Sequence, residues 1–275
     1  MKSRVNSDKD DTVIWPADWL SPQWPAPKRV RAVCTSRAGG VSLPPFGSLN
    51  LGTHVGDDAV QVTLNRDRVR GAIHAKPVFM DQLHGTHLLK LDAQTPDNLA
   101  ADGSFTRHAG LACTVMVADC LPILLCDTQG TQVAAVHAGW RGLAGEHETG
   151  GGIVEAICGC FKPESAVECA QAAPEIIAWL GPCIGPKAFE VGSEVRAAFM
   201  ATLPQAADCF EPRPSGKWLA NLPGLARQRL LAAGVSAVYG NDGSPPWCTV
   251  ANGSRFFSYR RDRVTGRQAA CIWLE

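Results

Sequence analysis

The chain has no excess of either charge. Lys plus Arg and Asp plus Glu each number 26 among 275 residues. It therefore carries no net field for gripping nucleic acid or an anionic membrane, and neither partner is expected. A long apolar run is also missing. The longest candidate, Leu111–Cys126, is broken by Asp119 and Pro122 and falls short of a membrane span. The opening MKSRVNSDKDD has no apolar stretch of the kind a secretion signal needs. Cysteine is plentiful at eleven, but the count is odd and no CxxC pair occurs; the nearest two are Cys158 and Cys160. A disulfide scaffold or a local zinc finger is excluded on that spacing. The expectation is a cytoplasmic protein with reduced thiols, most of them small buried hydrophobes.

Several catalytic signatures are absent too. A cytidine-type deaminase needs HxE and PCxxC; here His54 is followed by Val55 and Gly56, and Cys183 lies in GPCIGP. There is no HExxH, no GxxxxGK followed by Ser or Thr, and no GxSxG elbow. Seven histidines without one HxH pair are too few for the several coppers of a multicopper oxidase.

Three motifs remain, each turning out of an apolar run: QLHGTH with His84, VADCLP with Cys120, and VHAGWRG with His137. Two imidazoles and one thiolate are the donor set of a catalytic zinc, with the fourth position open to water or substrate. The spacings are long, so only the fold can bring the three together. A metal-free dyad of Cys120 and His137 is a second reading, since an imidazole can activate a thiol; it leaves His84 without a role. Blue copper shares the His₂Cys set, which keeps copper open as the metal.

Residues 1–28 are polar and Pro-rich and read as an N-terminal arm, with a single domain over residues 29–275. Short runs rich in Val, Ile and Leu predict strands at Arg29–Thr35, Pro77–Leu83, His87–Asp92, Ala112–Val117, Leu121–Asp127 and Thr131–His137. Later strands are predicted at Ile176–Leu180, Ala237–Tyr239, Arg255–Tyr259 and Gln268–Leu274. Helices fit Ile153–Cys160, Ser193–Leu203 and Pro223–Ala233, the last stopping at Gly234. Strands come in runs with helices interspersed, which predicts an α/β sandwich of mixed sheets rather than a doubly wound parallel fold. The neutral charge and the lack of a heptad repeat are compatible with a monomer, which is the expectation.

Arg37 and Arg141 lie in glycine-flanked turns, where backbone N–H groups can join a guanidinium around an anion such as phosphate. Arg66 and the Arg260–Arg261 pair are further candidates, although a single arginine is more often a surface ion pair. Asn50 and Asp119 are candidates for orienting substrate or a metal ligand.

TSRAGGVS, LNLGTHVGDD, VTLNR, QLHG, ADGSFT, ADCLPILLCD, HAGWRGL, GPCIGPKAFEVGSEV and FFSYRRDRVTGR follow one another from about residue 30 to the C-terminus. In this order they resemble the YfiH family, also called the laccase-domain or polyphenol-oxidase family. The resemblance implies a single α/β domain of mixed sheets, distantly similar to the cysteine-hydrolase domain of cytotoxic necrotizing factor. It implies a zinc held by His84, Cys120 and His137. For activity it implies a purine nucleoside phosphorylase with adenosine deaminase activity, acting on adenosine, inosine and methylthioadenosine. Peptidoglycan-precursor editing by a cysteine or zinc hydrolase, and copper-dependent polyphenol oxidation, are the alternatives it carries. One departure stands out: AGEHETGGG (Ala144–Gly152), with His147, lengthens the turn after HAGWRGL and reads as a flexible loop at the substrate rim.

Overall fold

Strands buried on both faces form the centre of the molecule. The computed structural model describes residues 16–145, 151–162 and 174–275. The first elements are β1 (Val30–Cys34), α1 (Ala59–Ile73), β2 (Lys76–Phe79), β3 (Leu88–Lys90), β4 (Gly103–Thr106), β5 (Leu111–Val117) and β6 (Leu121–Asp127). Next come β7 (Val133–Ala138), α2 (Trp140–Ala144), α3 (Ile153–Gly159), β8 (Ile176–Leu180), β9 (Glu190–Val191) and α4 (Ser193–Thr202). The chain closes with β10 (Phe210–Pro212), β11 (Trp218–Ala220), α5 (Leu222–Ala232), β12 (Ala237–Gly240), α6 (Tyr259–Asp262) and β13 (Gln268–Leu274).

Two large sheets carry the fold. One has the order β1-β13-β5-β2 and the other β12-β8-β6-β7-β4-β3; β10-β11-β9 form a small third sheet. Both large sheets are mixed: β2 runs parallel to β5, and β12 to β8, while β6 and β7 are antiparallel. Side chains alternate across each strand, so β6 sends Leu124 and Cys126 towards Cys113, Val115 and Ile272 of the other sheet. Its remaining residues, Leu121, Ile123 and Leu125, face a second core built with Leu143, Ile157, Leu225 and Leu230 of the helices. A third core lies on the far side of the first sheet, where Val69 and Ile73 of α1 meet Phe79, Met116 and Cys271. The result is a four-layer α/β sandwich. Its central strands β5, β6 and β7 are mostly apolar because neither of their faces meets water.

Residues 16–28 lie along the first sheet. Leu20 bridges to Cys34, Trp19 is buried, and the Ser36 hydroxyl donates to Asp18. No helix among the described residues is long and apolar enough to cross a membrane.

The fold departs from the sequence reading at several elements: β4, α2 and the small β10-β11-β9 sheet lie outside the predicted strands and helices, and two further differences bear on the site. Arg255–Tyr259 is not a strand but a turn leading into α6. Its backbone N–H groups find other acceptors: Arg255 and Phe256 donate to the Asn252 carbonyl and Phe257 to the Gln268 side chain, while the Ser258 hydroxyl accepts from the Arg261 N–H of α6. No neighbouring strand is needed. Helix α1 was not anticipated, because its buried stripe, Val62, Asn65, Arg66, Val69 and Ile73, contains two polar residues. Asn65 donates to the carbonyls of Ser48 and Asn50 and accepts from the Val41 N–H. Arg66 donates to the Leu51 carbonyl and lies over the Phe79 ring. The helix thus buries polar groups that tie the Ser42–Leu51 loop to the sheet, which conceals its amphipathic pattern. Asp58 caps its N-terminus through Val60 and Gln61. His147 lies outside the described residues.

Candidate functional site

His84, Cys120 and His137 come from three different connections at one end of the sandwich. Cys120 sits in the turn by which β5 of one sheet passes to β6 of the other. His137 is the penultimate residue of β7, and His84 follows β2. Their donor atoms all lie within 4.8 Å of one another; Cys120 Sγ is 3.7 Å from His84 Nε2. The two imidazoles meet edge to face with centroids 4.7 Å apart. His137 is buried, Cys120 partly exposed, and His84 open to the cleft.

This approach depends on Gly139. A Cβ there would stand 2.8 Å from His84 Cδ2 and 3.4 Å from Cys120 Sγ. The glycine after the HAG histidine keeps the space in which the three donors meet.

Both turns are held in left-handed backbone conformations, His84 at φ 63° and Asp119 at φ 98°. Non-glycine residues adopt these only when surrounding bonds impose them. For Asp119 the bonds come from Thr249 Oγ1 and the Arg260 N–H, each 2.6 Å from a carboxylate oxygen, and from the Ile184 N–H to its carbonyl. For His84 they come from Asp102. This carboxylate accepts from three consecutive backbone N–H groups, those of Leu83, His84 and Gly85, at 3.2, 2.7 and 2.6 Å. It also sits 2.9 Å from His137 Nδ1 and is almost fully buried. One side chain therefore positions both histidines, fixing the His137 tautomer so that Nε2 faces Cys120.

The electrostatics follow from this packing. Burial opposes a charge on Cys120, but the His137 charge and hydrogen bonds to both imidazoles outweigh it and bring the thiol down to about 6. Burial likewise opposes a charged His137, yet Cys120 and Asp102 raise it to about 9. Asp102 is desolvated as well, but the hydrogen bonds from His137 and the Gly85 backbone hold its carboxyl below the usual range. A thiolate beside neutral or protonated imidazoles can either bind a metal or act as a nucleophile.

The triad lies in a cleft of about 440 Å³, within the range of small-molecule sites. Its walls mix apolar side chains such as Trp140, Phe189 and Leu222 with His54, Arg260 and Arg267.

Residues 31–275 match the family described as multi-copper polyphenol oxidoreductase laccase. The purine nucleoside phosphorylase YfiH of Shigella flexneri is 48% identical over 259 residues, covering 93% of this chain and 98% of the relative. The purine nucleoside phosphorylase PA4543 of Pseudomonas aeruginosa is 46% identical, covering 94% and 98%. The crystal structure of Neisseria meningitidis protein NMB0706 superposes with a TM-score of 0.82 at 45% identity, over 94% of this chain and 99% of that one. The chain belongs to the YfiH family. YlmD from Geobacillus stearothermophilus, at 31% identity and TM-score 0.80, shares the fold over 92% of this chain and 94% of its own.

Within this YfiH-family cleft the candidate residues from sequence divide into two groups. Asp119 and Arg141 line it, as does Arg260. Arg37 and Asn50 are not among its lining residues. The Arg37 guanidinium instead donates to the carbonyls of Gly47 and Gly253 and lies over Phe257. Asn50 is fully buried; it donates to Gly52 and Asp57 and accepts from the Arg267 N–H, thereby shaping the segment that carries His54. Arg66, on the buried face of α1, donates to the Leu51 carbonyl, and Arg261 is paired with Asp262 and three backbone carbonyls.

Sequence reasoning gave no role to Asp102, His54, Gln82, Tyr259 or Arg267. Asp102 carried a usable signal, because it stands at a strand start before a glycine in ADGSFT, as the triad residues stand at strand ends. Arg267 follows Gly266, yet nothing local separates it from Arg260, Arg261 and Arg263 just before it.

Proposed function

We propose that the protein is a zinc-dependent purine nucleoside phosphorylase that also deaminates adenosine. The observation that carries this reading is the meeting of His84, Cys120 and His137 in a cleft of about 440 Å³, in a chain 46–48% identical to relatives named purine nucleoside phosphorylase. The substrates are adenosine, inosine and methylthioadenosine, cleaved to free base and ribose 1-phosphate.

The donor set fits zinc. Two imidazole nitrogens and one thiolate gather within 4.8 Å of one another, with Cys120 Sγ and His84 Nε2 3.7 Å apart, and would together hold a zinc ion. His137 offers Nε2 because Asp102 occupies Nδ1. A zinc ion held by His84, Cys120 and His137 would supply Lewis acidity in the cleft. Around it, Asp102 holds both histidines in orientation, and Asp119 ties the cysteine turn to Thr249 and Arg260. Trp140, Phe189 and Leu222 provide apolar surface for a purine and exclude water from one wall. In phosphorolysis a phosphate oxygen bonds to the anomeric carbon as the glycosidic C–N bond breaks, and its electron pair leaves with the base, which takes up a proton. Deamination exchanges the adenine amino group for a water oxygen and releases ammonia.

A second reading is supported by the Asp102–His137–Cys120 line, which resembles the base-activated thiol of a cysteine hydrolase. On it the protein cleaves an amide of a cell-wall precursor. Copper-dependent phenol oxidation has the family description behind it, but multicopper chemistry requires several coppers. Among the described residues His84, Cys120 and His137 form a single group of metal donors.

The deciding measurement is product analysis of a nucleoside panel with and without phosphate, alongside metal content. Hypoxanthine release from inosine only when phosphate is present, with one zinc per chain, is the expected result. Cys120→Ala should lower it by more than about 10³-fold and abolish zinc retention. Intact inosine after incubation with a zinc-loaded preparation would remove the nucleoside assignment. Phosphate-independent cleavage of an amide substrate, with covalent trapping at Cys120, would favour the hydrolase.

A further inference from the structure

The cleft is lined by three arginines, Arg141, Arg260 and Arg267, against one carboxylate, Asp119. Both Asp119 oxygens are already engaged, by the Thr249 hydroxyl and the Arg260 backbone. Among the described residues none of these arginines forms a salt bridge with a carboxylate. Two of them have evident occupations. The Arg260 guanidinium donates to the carbonyls of Ala188 and Glu190, and Arg141 is exposed and lies on Trp140.

Arg267 is different. It is half-buried, and its position is fixed from several sides. Its backbone N–H donates to Asn50 Oδ1, and Nη1 donates to the Thr265 and Gly266 carbonyls. Its stem packs so closely on Gly52 that a Cβ there would stand 2.8 Å from its Cγ. Nε and Nη2 have no acceptor among the described residues, so one whole edge of the fork is unengaged. With Cys120 and Asp119 nearby but neither hydrogen-bonded to it, the open edge of the fork matches the paired oxygens of a tetrahedral oxyanion. Cys120, Asp119 and Tyr259 are its electrostatic neighbours, placing it beside the metal triad. His54 follows Gly52 closely in the chain, lines the same cleft and feels the Arg267 charge.

We propose that Arg267, with His54 beside it, is the seat of the phosphate co-substrate, presenting Nε–H and Nη2–H as a two-pronged donor to one phosphoryl face. This assignment rests on the phosphorylase reading. It places the attacking phosphate next to the triad, and leaves the Trp140–Phe189–Leu222 wall for the base. The charge of Arg267 is conserved in this step: the phosphate oxygen forms the new bond to the anomeric carbon, and the purine departs with the old bond's electrons.

The test compares the zinc-loaded wild type with Arg267→Gln and Arg267→Lys. With inosine saturating and phosphate titrated, Arg267→Gln should raise KM for phosphate on the order of 10- to 100-fold, while KM for inosine moves far less. Arg267→Lys, which keeps the charge but loses the fork, should fall between. Adenosine deamination uses water rather than phosphate, so phosphorolysis should fall at least about tenfold more than deamination. An unchanged KM for phosphate, or equal losses in both reactions, overturns the assignment. Calorimetric titration of inorganic phosphate provides a readout independent of turnover. Binding present in the wild type and lost in Arg267→Gln supports the seat even if inosine is never cleaved, an outcome that would refute the phosphorylase reading alone. Absence of phosphate binding in the wild type together with absence of phosphorolysis overturns the seat itself. Inosine 5′-monophosphate distinguishes the source of the phosphoryl group. If Arg267→Gln abolishes inhibition by the monophosphate yet leaves KM for inorganic phosphate unaltered, the co-substrate assignment is wrong.

Discussion

Cys113 and Cys120 lie at the middle and just beyond the end of the same strand, β5, and their thiols are driven in opposite directions. Burial acts on both and disfavours the thiolate in each. For Cys113, between the two sheets, burial dominates and pushes the thiol up to about 12. For Cys120, at the exit of the strand, the two histidines outweigh it and bring the thiol down to about 6. Cys126 and Cys271, also in the sheets, follow Cys113 to about 12. Burial alone therefore does not make a reactive thiol or silence one; the groups opposite it do. The interior of the sandwich is an apolar filler in which cysteine replaces a small aliphatic residue, whereas its rim converges charged partners contributed by distant connections.

The largest contrast between these regions should be chemical. At pH 7 a thiol near 6 is mostly thiolate, whereas one near 12 is ionised to only about one part in 10⁵. In chelator-treated protein, iodoacetamide should label Cys120 with a rate that falls as pH drops below about 6, while peptides carrying Cys113, Cys126 and Cys271 stay unmodified. Peptide mass mapping after timed labelling measures this. Equal labelling of Cys113 and Cys120 in folded protein would erase the distinction.

A smaller effect is expected behind the site, at Asp102. Asp102→Asn keeps the shape but replaces one acceptor oxygen by an amide, in a group that serves three backbone N–H donors and His137. Zinc affinity should fall by about 10–100-fold, as measured by chelator competition. Unchanged affinity would show that the turns hold His84 and His137 without it.

The smallest effect belongs to the interior. Cys113→Ala removes one buried sulfur and should cost about 1 kcal/mol of stability in urea unfolding, with turnover retained. Loss of zinc in this variant would mean that the interior and the rim are not separable.

Much of the strand framework was legible. Leu121–Asp127, Ile176–Leu180 and Gln268–Leu274 are strands with the predicted bounds, because a strand buried on both faces needs an uninterrupted apolar run and a clear polar or glycine boundary. The Pro223–Ala233 prediction is offset by a single residue from α5, and Gly234 adopts φ 91° just past its end. Where polar side chains do the work of packing, the reading failed. Helix α1 hides its inner face behind Asn65 and Arg66, and Arg255–Tyr259 shows strand-like aromatics whose backbone partners are side chains and turns.

The candidate site divides in the same way. His84, Cys120 and His137 were recognisable because reactive groups at the ends of apolar runs are a local pattern. Arg37 and Arg141 had equally promising glycine-rich surroundings, yet one props a loop through Gly47 and Gly253 while the other faces the cleft. Nothing within a few residues of either distinguishes them.

By itself, then, the sequence determined which segments could pair as buried strands and which side chains had the chemistry of metal donors, since both depend on residue type and near neighbours. Only the tertiary structure decided that β5 hands Cys120 from one sheet to the other beside His137, and that Asp102 lies between two histidines distant from it in the chain. It also decided that Arg267 lines the same cleft as the two histidines. Distances, desolvation and the presence or absence of a counter-charge are set by contacts between segments far apart in sequence, and these contacts distinguish a thiolate at the rim from a silent thiol in the core.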